Sequence, residues 1–600
     1  MDIKNIAIIA HVDHGKTTLV DALFQASIFQ GKHQHVQERA MDSDTIERER
    51  GITILSKNTA IMYNDHKINI LDTPGHVDFG GEVERIMDMV DGVLLVVDAC
   101  DGVMPQTKTV LLQALKRDII PIVVINKIDR DVARPEEALD QVYDLFLELG
   151  ASDKQLDFPY VFCSAIKKKA SYEPVLHEDD DMSVLLDVIV NEVPSPDADP
   201  KGPLLFQPSL LDYNDYVGRM GIGLIHRGVM HVGDEVICVR KSGDEDRFRI
   251  QKITGYLGLE KRDLQEAYAG DVVAISGLSD IYVGETVCSP EKIEILPPIE
   301  IKEPTVKMLF STNTSPFAGR AGTYVTSPKI DERLHRETQR DLALRVKRIE
   351  NKDQWIVSGR GQLHLSILIE NMRRESYEFQ VSRPQVIEKM IDGITKEPYE
   401  HVWIDIEHEH VGAVMEYCGE RNGRLLDMGK TDTRTKLTYE MPSRNLIGFM
   451  TGFRTLTKGY GVVSHSFWAY KKKKGETHSY RETGALVASC DGVSTHYALA
   501  GLEDRGVLFI PPKTEVYEGM IVGEHNKPNN LAVNVTKKKK LTNVRAAAKD
   551  DTIVLKRFQD MDLEACLDFI TDDEFVEVTP ADIRMRKTIL NTKARLKSDR

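Results

Sequence analysis

The eight residues from His11 to Thr18, His-Val-Asp-His-Gly-Lys-Thr-Thr, constrain this chain more than any other stretch. A short apolar run, Ile6-Ala7-Ile8-Ile9-Ala10, leads into them, and it has the length a buried strand needs. A helical pattern carried by Leu19, Val20, Leu23 and Phe24 follows them. Strand, tight loop and helix in that order make a phosphate cradle, because backbone N–H groups and a helix N-terminus face the anion together. Asp13, His14, Gly15, Lys16, Thr17 and Thr18 are therefore the expected phosphate-binding residues. Lys16 is placed to reach the β and γ oxygens, and the Thr17 hydroxyl to ligate Mg²⁺. Ala10 stands where the GxxxxGK[ST] pattern has its first glycine, and a methyl fits there if φ is negative. His14 is expected to supply mainly a backbone N–H, and His11 is given no role.

Three further segments arrive in the order such a site requires. Ile68-Asn69-Ile70-Leu71-Asp72 reads as a strand ending in Asp72-Thr73-Pro74-Gly75-His76. An acid at that strand end can hold Mg²⁺ through water, and the Gly75 amide can sense a γ-phosphate. Pro121-Ile122-Val123-Val124-Ile125 is continuously apolar, as a parallel strand covered on both faces should be. It delivers Asn126-Lys127-Ile128-Asp129, and the Asp129 carboxylate can accept both N1–H and N2–H of guanine, a pair adenine lacks. Val161-Phe162-Cys163-Ser164-Ala165-Ile166 then brings Ser164 and the Ala165 amide, the latter aimed at guanine O6. GTP and GDP, with Mg²⁺, are the expected ligands.

The segment Arg48-Glu49-Arg50-Gly51-Ile52-Thr53-Ile54 resembles the effector segment of translation-factor GTPases. That resemblance implies that Thr53 joins Thr17 and Asp72 around Mg²⁺ when the γ-phosphate is present. It also implies that His76 is the catalytic residue that orients the attacking water, with Val12 and Ile52 as a hydrophobic gate beside it.

Three prolines close together in Val193-Pro194-Ser195-Pro196-Asp197-Ala198-Asp199-Pro200 mark the end of this domain. Short β-rich runs with glycine turns follow (Gly221 to Ile225, Glu235 to Val239, Asp271 to Ile275) and read as a small barrel. Pro297-Pro298 and Pro304 mark the next joint. Ser358 to Leu365, continuing to Glu375, resembles the third domain of elongation factor G, although spacing alone reads its helix as core packing. The βα pattern from Val402 through Met415 resembles that factor's fifth domain. No long segment separates the two, so the domain with which that factor pushes tRNA is absent and translocation is not expected. Met441-Pro442-Ser443-Arg444-Asn445-Leu446-Ile447-Gly448-Phe449 resembles the PSRGLIG signature of the BipA/TypA group of translational GTPases, with Asn445 in place of glycine. Asn tolerates the left-handed backbone region, so a turn there can survive.

The expected fold is multidomain, α/β and β. A P-loop GTPase domain spans 1–199 and a β-barrel 200–300. Ferredoxin-like α/β plaits span 301–390 and 391–480, and a group-specific C-terminal RNA-contacting domain spans 481–600. Elongation factor 4 (LepA) has a similar domain order, but the 441–449 segment and the C-terminal third speak against it. A scaffold for RNA or ribosome assembly that GTP merely occupies is a rival of another class.

Charge bears on the partner. The net charge of −16 argues against a general nucleic-acid binder, yet residues 531–600 hold 15 Lys+Arg against 12 Asp+Glu. Within them lie Lys537, Lys538, Lys539, Lys540 and Arg545, which the resemblance assigns to ribosomal RNA and to A-site tRNA. A second run, Lys471 to Lys474, reads equally well as a solvated face. Phosphate contacts of this kind give affinity without reading sequence. The seven scattered cysteines form no CxxC pair, and Met1 to Asn5 run into a strand with no signal-peptide core. These features point to a cytoplasmic protein with no membrane partner, and the expected function is that of a monomeric, ribosome-stimulated GTPase acting in translation or ribosome assembly, often under stress or low temperature.

Overall fold

The computed structural model describes residues 2–11, 13–27, 45–50, 57–74, 80–214, 216–258, 260–299, 301, 303–430, 434–474, 481–538 and 555–598. They form two compact units, Met1–Lys302 with Gln339–Leu342, and Glu303–Thr338 with Ala343–Arg600. Among the described residues no helix is long and apolar enough to cross a membrane.

The first unit opens with a seven-stranded sheet. Its strands are β1 (Asp2–Ala10), β2 (Lys57–Tyr63), β3 (His66–Asp72), β4 (Gly92–Asp98), β5 (Ile120–Asn126), β6 (Tyr160–Ser164) and β7 (Lys169–Ser171). They lie in the order β2-β3-β1-β4-β5-β6-β7, with β3, β1, β4, β5 and β6 parallel and an antiparallel strand at each edge. Both faces are covered, and the period of two assigns side chains to them in alternation. Ala7, Ile9, Val93, Leu95, Val123 and Ile125 enter one core. Ile6, Ile8, Leu94, Val96, Ile122 and Val124 enter the other. The five parallel strands therefore deliver their C-terminal ends, and the loops that follow, to one edge, where ligands of such sheets bind.

Antiparallel strands after residue 204 form an eight-stranded sheet wrapped around Phe206, Ile225, Val236, Phe248 and Ile275. The barrel shares a core with the first sheet, because Leu210, Ile222, Val272 and Ala274 pack among Val83, Ile86 and their neighbours. A buried polar cluster fixes the register of that contact. Lys67 Nζ donates to both Asp271 oxygens at 2.7 Å, Asn69 Nδ2 donates to Asp271 Oδ1 at 3.1 Å, and Asn5 Nδ2 donates to Gly270 O at 3.0 Å. At the sheet edge, Gly258 N–H donates to Ala60 O at 2.7 Å and the Thr59 hydroxyl bonds Gly258 O.

In the second unit the first plait pairs Arg345–Arg348, Gln354–Gly359, Val306–Ser311 and Phe379–Val381. Its helix Gln362–Arg374 buries Leu365, Leu368, Ile369 and Met372, as the core-packing reading holds. The sheet does not end there. The hairpin Glu574–Val578 and Ile583–Lys587, nearly two hundred residues later, continues it through Phe379↔Val578 and Val381↔Val576. Fully buried Glu577 anchors this addition. Its carboxylate accepts from Ser315 Oγ (2.6 Å), Asn313 Nδ2 (2.8 Å), the Tyr517 hydroxyl (2.8 Å) and Arg584 Nη1 (3.1 Å). The second plait places Val402, Ile404, Ile406, Leu437 and Tyr439 against helices Val411–Glu420 and Phe449–Leu456. Ala485–Ala488, Gly506–Leu508, Ile521–His525 and Leu531–Val533 form a separate four-stranded sheet.

The turn at Ser443–Asn445 corrects the backbone argument for Asn445. The left-handed position is Gly448, at φ 73°, and Asn445 is absent from the positive-φ residues. The Asn445 side chain is instead used directly. It is 1% exposed, and its Nδ2 donates to Arg421 O at 2.6 Å while Arg421 Nη1 donates to Asn445 O at 3.0 Å.

The Lys67–Asp271 pair is buried on both sides, so neither charge can turn to water when the other is lost. Removing one member of a buried pair strands the other charge at a cost of about 3–5 kcal/mol. Asp271→Asn is expected to destabilise the first unit by that amount in denaturant unfolding. Lys67→Met with Asp271→Leu is expected to recover most of it. Unfolding curves within about 1 kcal/mol of the parent for Asp271→Asn would contradict the assignment.

Candidate nucleotide site

The loop between β1 and the helix α1 (Lys16–Ala26) turns on Gly15, whose φ is +90°. Glycine is needed there twice over, since a Cβ would also stand 2.4 Å from Asn126 Nδ2. Asp13 takes a left-handed φ of 65°. Ala10 is the last residue of β1, and it is absent from the positive-φ residues, so its methyl is accommodated. Lys16 Nζ lies 2.8 Å from Asp72 Oδ1 at the end of β3 and donates to Thr73 O at 2.6 Å. The Thr73 hydroxyl donates to Ile8 O at 2.6 Å, which ties the β3 end to β1. Thr17 and Thr18 follow Lys16 in the first turn of α1.

Asn126, 1% exposed, joins this loop to the two loops beyond it. Its Nδ2 donates to His14 O at 2.9 Å, and its Oδ1 accepts from Ala165 N–H at 3.1 Å and from Cys163 Sγ at 3.3 Å. Burial pushes the Cys163 thiol well up, which keeps it a donor. The Ala165 amide, expected to face guanine O6, is thus already engaged by Asn126. Ser164 is fully buried, and its hydroxyl accepts from Lys167 N–H at 3.2 Å. Asp129 lies in the turn following β5, three residues after Asn126.

Two side chains carry more than the sequence suggests. Asp98, at the end of β4, is 0% exposed and in register with Asn126. Its Oδ2 lies 2.6 Å from Lys127 Nζ, and its Oδ1 accepts from Cys100 N–H at 2.8 Å. Burial works to raise the Asp98 carboxyl, but the bonds from Lys127 and Cys100 outweigh it and hold it below the usual carboxylate range. Lys127 Nζ also donates to Asp13 O in the phosphate loop. His14 offers more than the backbone N–H expected of it. The residue is 1% exposed, and its Nδ1 accepts from Asp98 N–H at 3.3 Å. Burial first, then the neighbouring His11, drives the His14 pKa down to about 4, so the ring is neutral at physiological pH. The signal that marks Asp72, an apolar strand closing on an acid, is repeated in Gly92-Val93-Leu94-Leu95-Val96-Val97-Asp98.

The structure brings Asp13, His14, Gly15, Lys16, Asp72, Asn126, Lys127 and Ala165 into one connected set. Val12, Ile52, Thr53, Gly75, His76, Lys539, Lys540 and Arg545 lie outside the described residues. Lys537 and Lys538 are exposed, and the Thr495 hydroxyl donates to Lys537 O at 2.5 Å. The other lysine run alternates. Lys471 pairs with Glu440 at 2.5 Å and Lys473 with Glu388 at 2.7 Å, while Lys472 and Lys474 are exposed. Half of that run is therefore neutralised by the protein itself.

Comparison with known proteins agrees with this architecture. Residues 1–195 match the elongation factor Tu GTP binding domain, 210–290 elongation factor G domain 2, 315–383 elongation factor G domain III, and 394–480 the elongation factor G C-terminus. Residues 483–592 match the TypA/BipA C-terminal domain. Proteins named large ribosomal subunit assembly factor BipA are similar over the full chain. That of Bacillus subtilis is 55% identical over 599 residues, covering 100% of this chain and 98% of the relative. Those of Haemophilus influenzae and Escherichia coli K12 are 52% and 50% identical, each covering 100% of this chain and 97% and 98% of the relative. A crystal structure from Thermus thermophilus shares the fold at a TM-score of 0.54 and 16% identity, covering 79% of this chain and 97% of that one. With half or more of its residues identical to these relatives along its whole length, the chain belongs to the BipA family of translational GTPases.

Proposed function

We propose that this chain hydrolyses GTP to GDP and phosphate on the ribosome and serves large-subunit assembly, the role for which its relatives are named. The observation that carries the reading is Asn126, which ties the phosphate loop to the base-side loop at 164–165. Lys16, held by Asp72 in this structure, exchanges that carboxylate for β and γ phosphate oxygens. Asp129 accepts the two guanine donors, and the Ala165 amide, held by Asn126 Oδ1, shares its proton with guanine O6.

The Asp72 carboxylate and the Thr17 hydroxyl are hard oxygen donors at the strand end and helix start, which is the ligand type Mg²⁺ takes, and Thr53 completes that set. Mg²⁺ held there would neutralise charge on the phosphate oxygens. The Gly75 amide senses the γ-phosphate, His76 orients the attacking water, and Val12 and Ile52 shield it. GTP thus favours an ordered switch and the ribosome-bound state, and hydrolysis releases the protein. Lys537 to Lys540 and Arg545 meet ribosomal RNA, and tRNA in the A site, through phosphates. The protein acts as a cytoplasmic monomer.

Replacing His76 with Ala tests the chemistry. GTP affinity should change little, while ribosome-stimulated phosphate release falls at least about 100-fold, within the range for loss of a positioned proton-handling group. Turnover equal to the parent's on 70S particles would contradict the role.

Replacing Lys537 to Lys540 with Ala tests the partner. Binding to 70S particles with a GTP analogue should weaken, and the slope of log K against log salt should flatten by about 0.7–0.9 for each phosphate no longer neutralised. GDP binding should match the parent. An unchanged slope would move the RNA-binding surface elsewhere.

A further inference from the structure

Asp98 lies at the centre of the nucleotide edge and makes no contact that the mechanism above uses. It is fully buried, and a carboxylate is left in such a place only where its partners outweigh the loss of water. Beside the Cys100 N–H on Oδ1, those partners belong to the site. Its Oδ2 holds Lys127 Nζ at 2.6 Å, and the same ammonium bonds Asp13 O in the phosphate loop. Its backbone N–H donates to His14 Nδ1 at 3.3 Å, and its strand is in register with Asn126. Lys127 itself sits at a left-handed φ of 63°, a conformation that costs energy for a lysine and persists only when its surroundings hold it. Arg130 Nη1, 3.8 Å away, is half exposed and adds little.

We infer that Asp98 is a positioning residue for nucleotide: its carboxylate sets the Lys127 side chain across the gap between the base-side loop and the phosphate loop, and so controls how long a guanine nucleotide stays bound. Asp98 touches no ligand, and its action runs through Lys127. The inference rests on the nucleotide-site reading above.

The carboxylate's effect is therefore conditional on the ammonium. Asp98→Asn keeps the size of the side chain and an oxygen for Cys100 N–H, and removes the charge that holds Lys127. It is expected to speed dissociation of a fluorescent GDP and of a fluorescent GTP analogue by tenfold or more. KM for GTP in ribosome-stimulated turnover should rise in step, with kcat reduced less than threefold. In a Lys127→Met background the same replacement should change dissociation by less than twofold. The double variant leaves no unpaired ammonium and so stays measurable even if the Asp98→Asn single variant folds poorly, and dissociation from it clearly faster than from Lys127→Met alone overturns the inference. A purely structural carboxylate gives a different pattern, a melting temperature lowered in the parent background with dissociation unchanged there. That result, or equal acceleration in both backgrounds, overturns the inference. Failure of the parent protein to bind GDP overturns the nucleotide-site reading itself, and the two failures are thereby distinct.

Discussion

The nucleotide edge depends on one side-chain amide. Asn126 uses Nδ2 on the His14 carbonyl and Oδ1 on the Ala165 amide, so a single planar group sets the distance between two loops that enter from different strands. The residue is 1% exposed, and losing either bond strands a buried partner at about 1–3 kcal/mol. Gly15 is drawn into the same constraint, because Asn126 Nδ2 occupies the space any β-carbon would need. Lys127 and Asp98 extend the tie by one residue along the chain from β5 and one strand across to β4. The site is thus a sheet edge laced by buried polar groups, and its rigidity comes from strand ends rather than from the loops themselves.

Each unit repeats this arrangement away from the nucleotide edge. In the first, Lys67 and Asp271 are buried where the sheet meets the barrel, with Asn5 and Asn69 satisfying the lone pairs that remain nearby. In the second, Glu577 takes four donors from three separate segments and joins the late hairpin to the first plait. Apolar packing is indifferent to a shift of register, whereas a buried charge with one correct set of partners is not. Strand β2 follows the Arg48 to Ile54 segment in the chain, and its bonds to Gly258 tie the start of that strand directly to the barrel.

Much of this is legible in the sequence because the informative signals are local. The parallel strands read as unbroken apolar runs, and the loops that follow carry residues whose chemistry depends on a few neighbours. What is not legible is non-local. Nothing in Phe379–Val381 announces that Glu574–Val578 will pair beside it, since a strand edge has no side-chain signature for its partner. Asp98 has the same spacing to its strand as Asp72, but its meaning comes from Lys127 and His14, which only the fold brings close. Backbone tolerance alone explains an Asn at position 445 from the sequence, while the structure uses its side chain on Arg421. The lysine run at 471–474 reads as one basic patch, and strand alternation divides it into paired and exposed halves.

If the Asn126 amide assembles the nucleotide edge, its removal must reach the ligand. The most direct measurement is the equilibrium binding of a fluorescent GDP to Asn126→Ala, with the unfolding of the whole chain followed alongside. Loss of the two hydrogen bonds that link the loops predicts an affinity at least about 100-fold weaker, while the second unit unfolds as in the parent. An Asn126→Ala protein that binds GDP within about threefold of the parent would show that the loops hold their places without the amide, contradicting its central role.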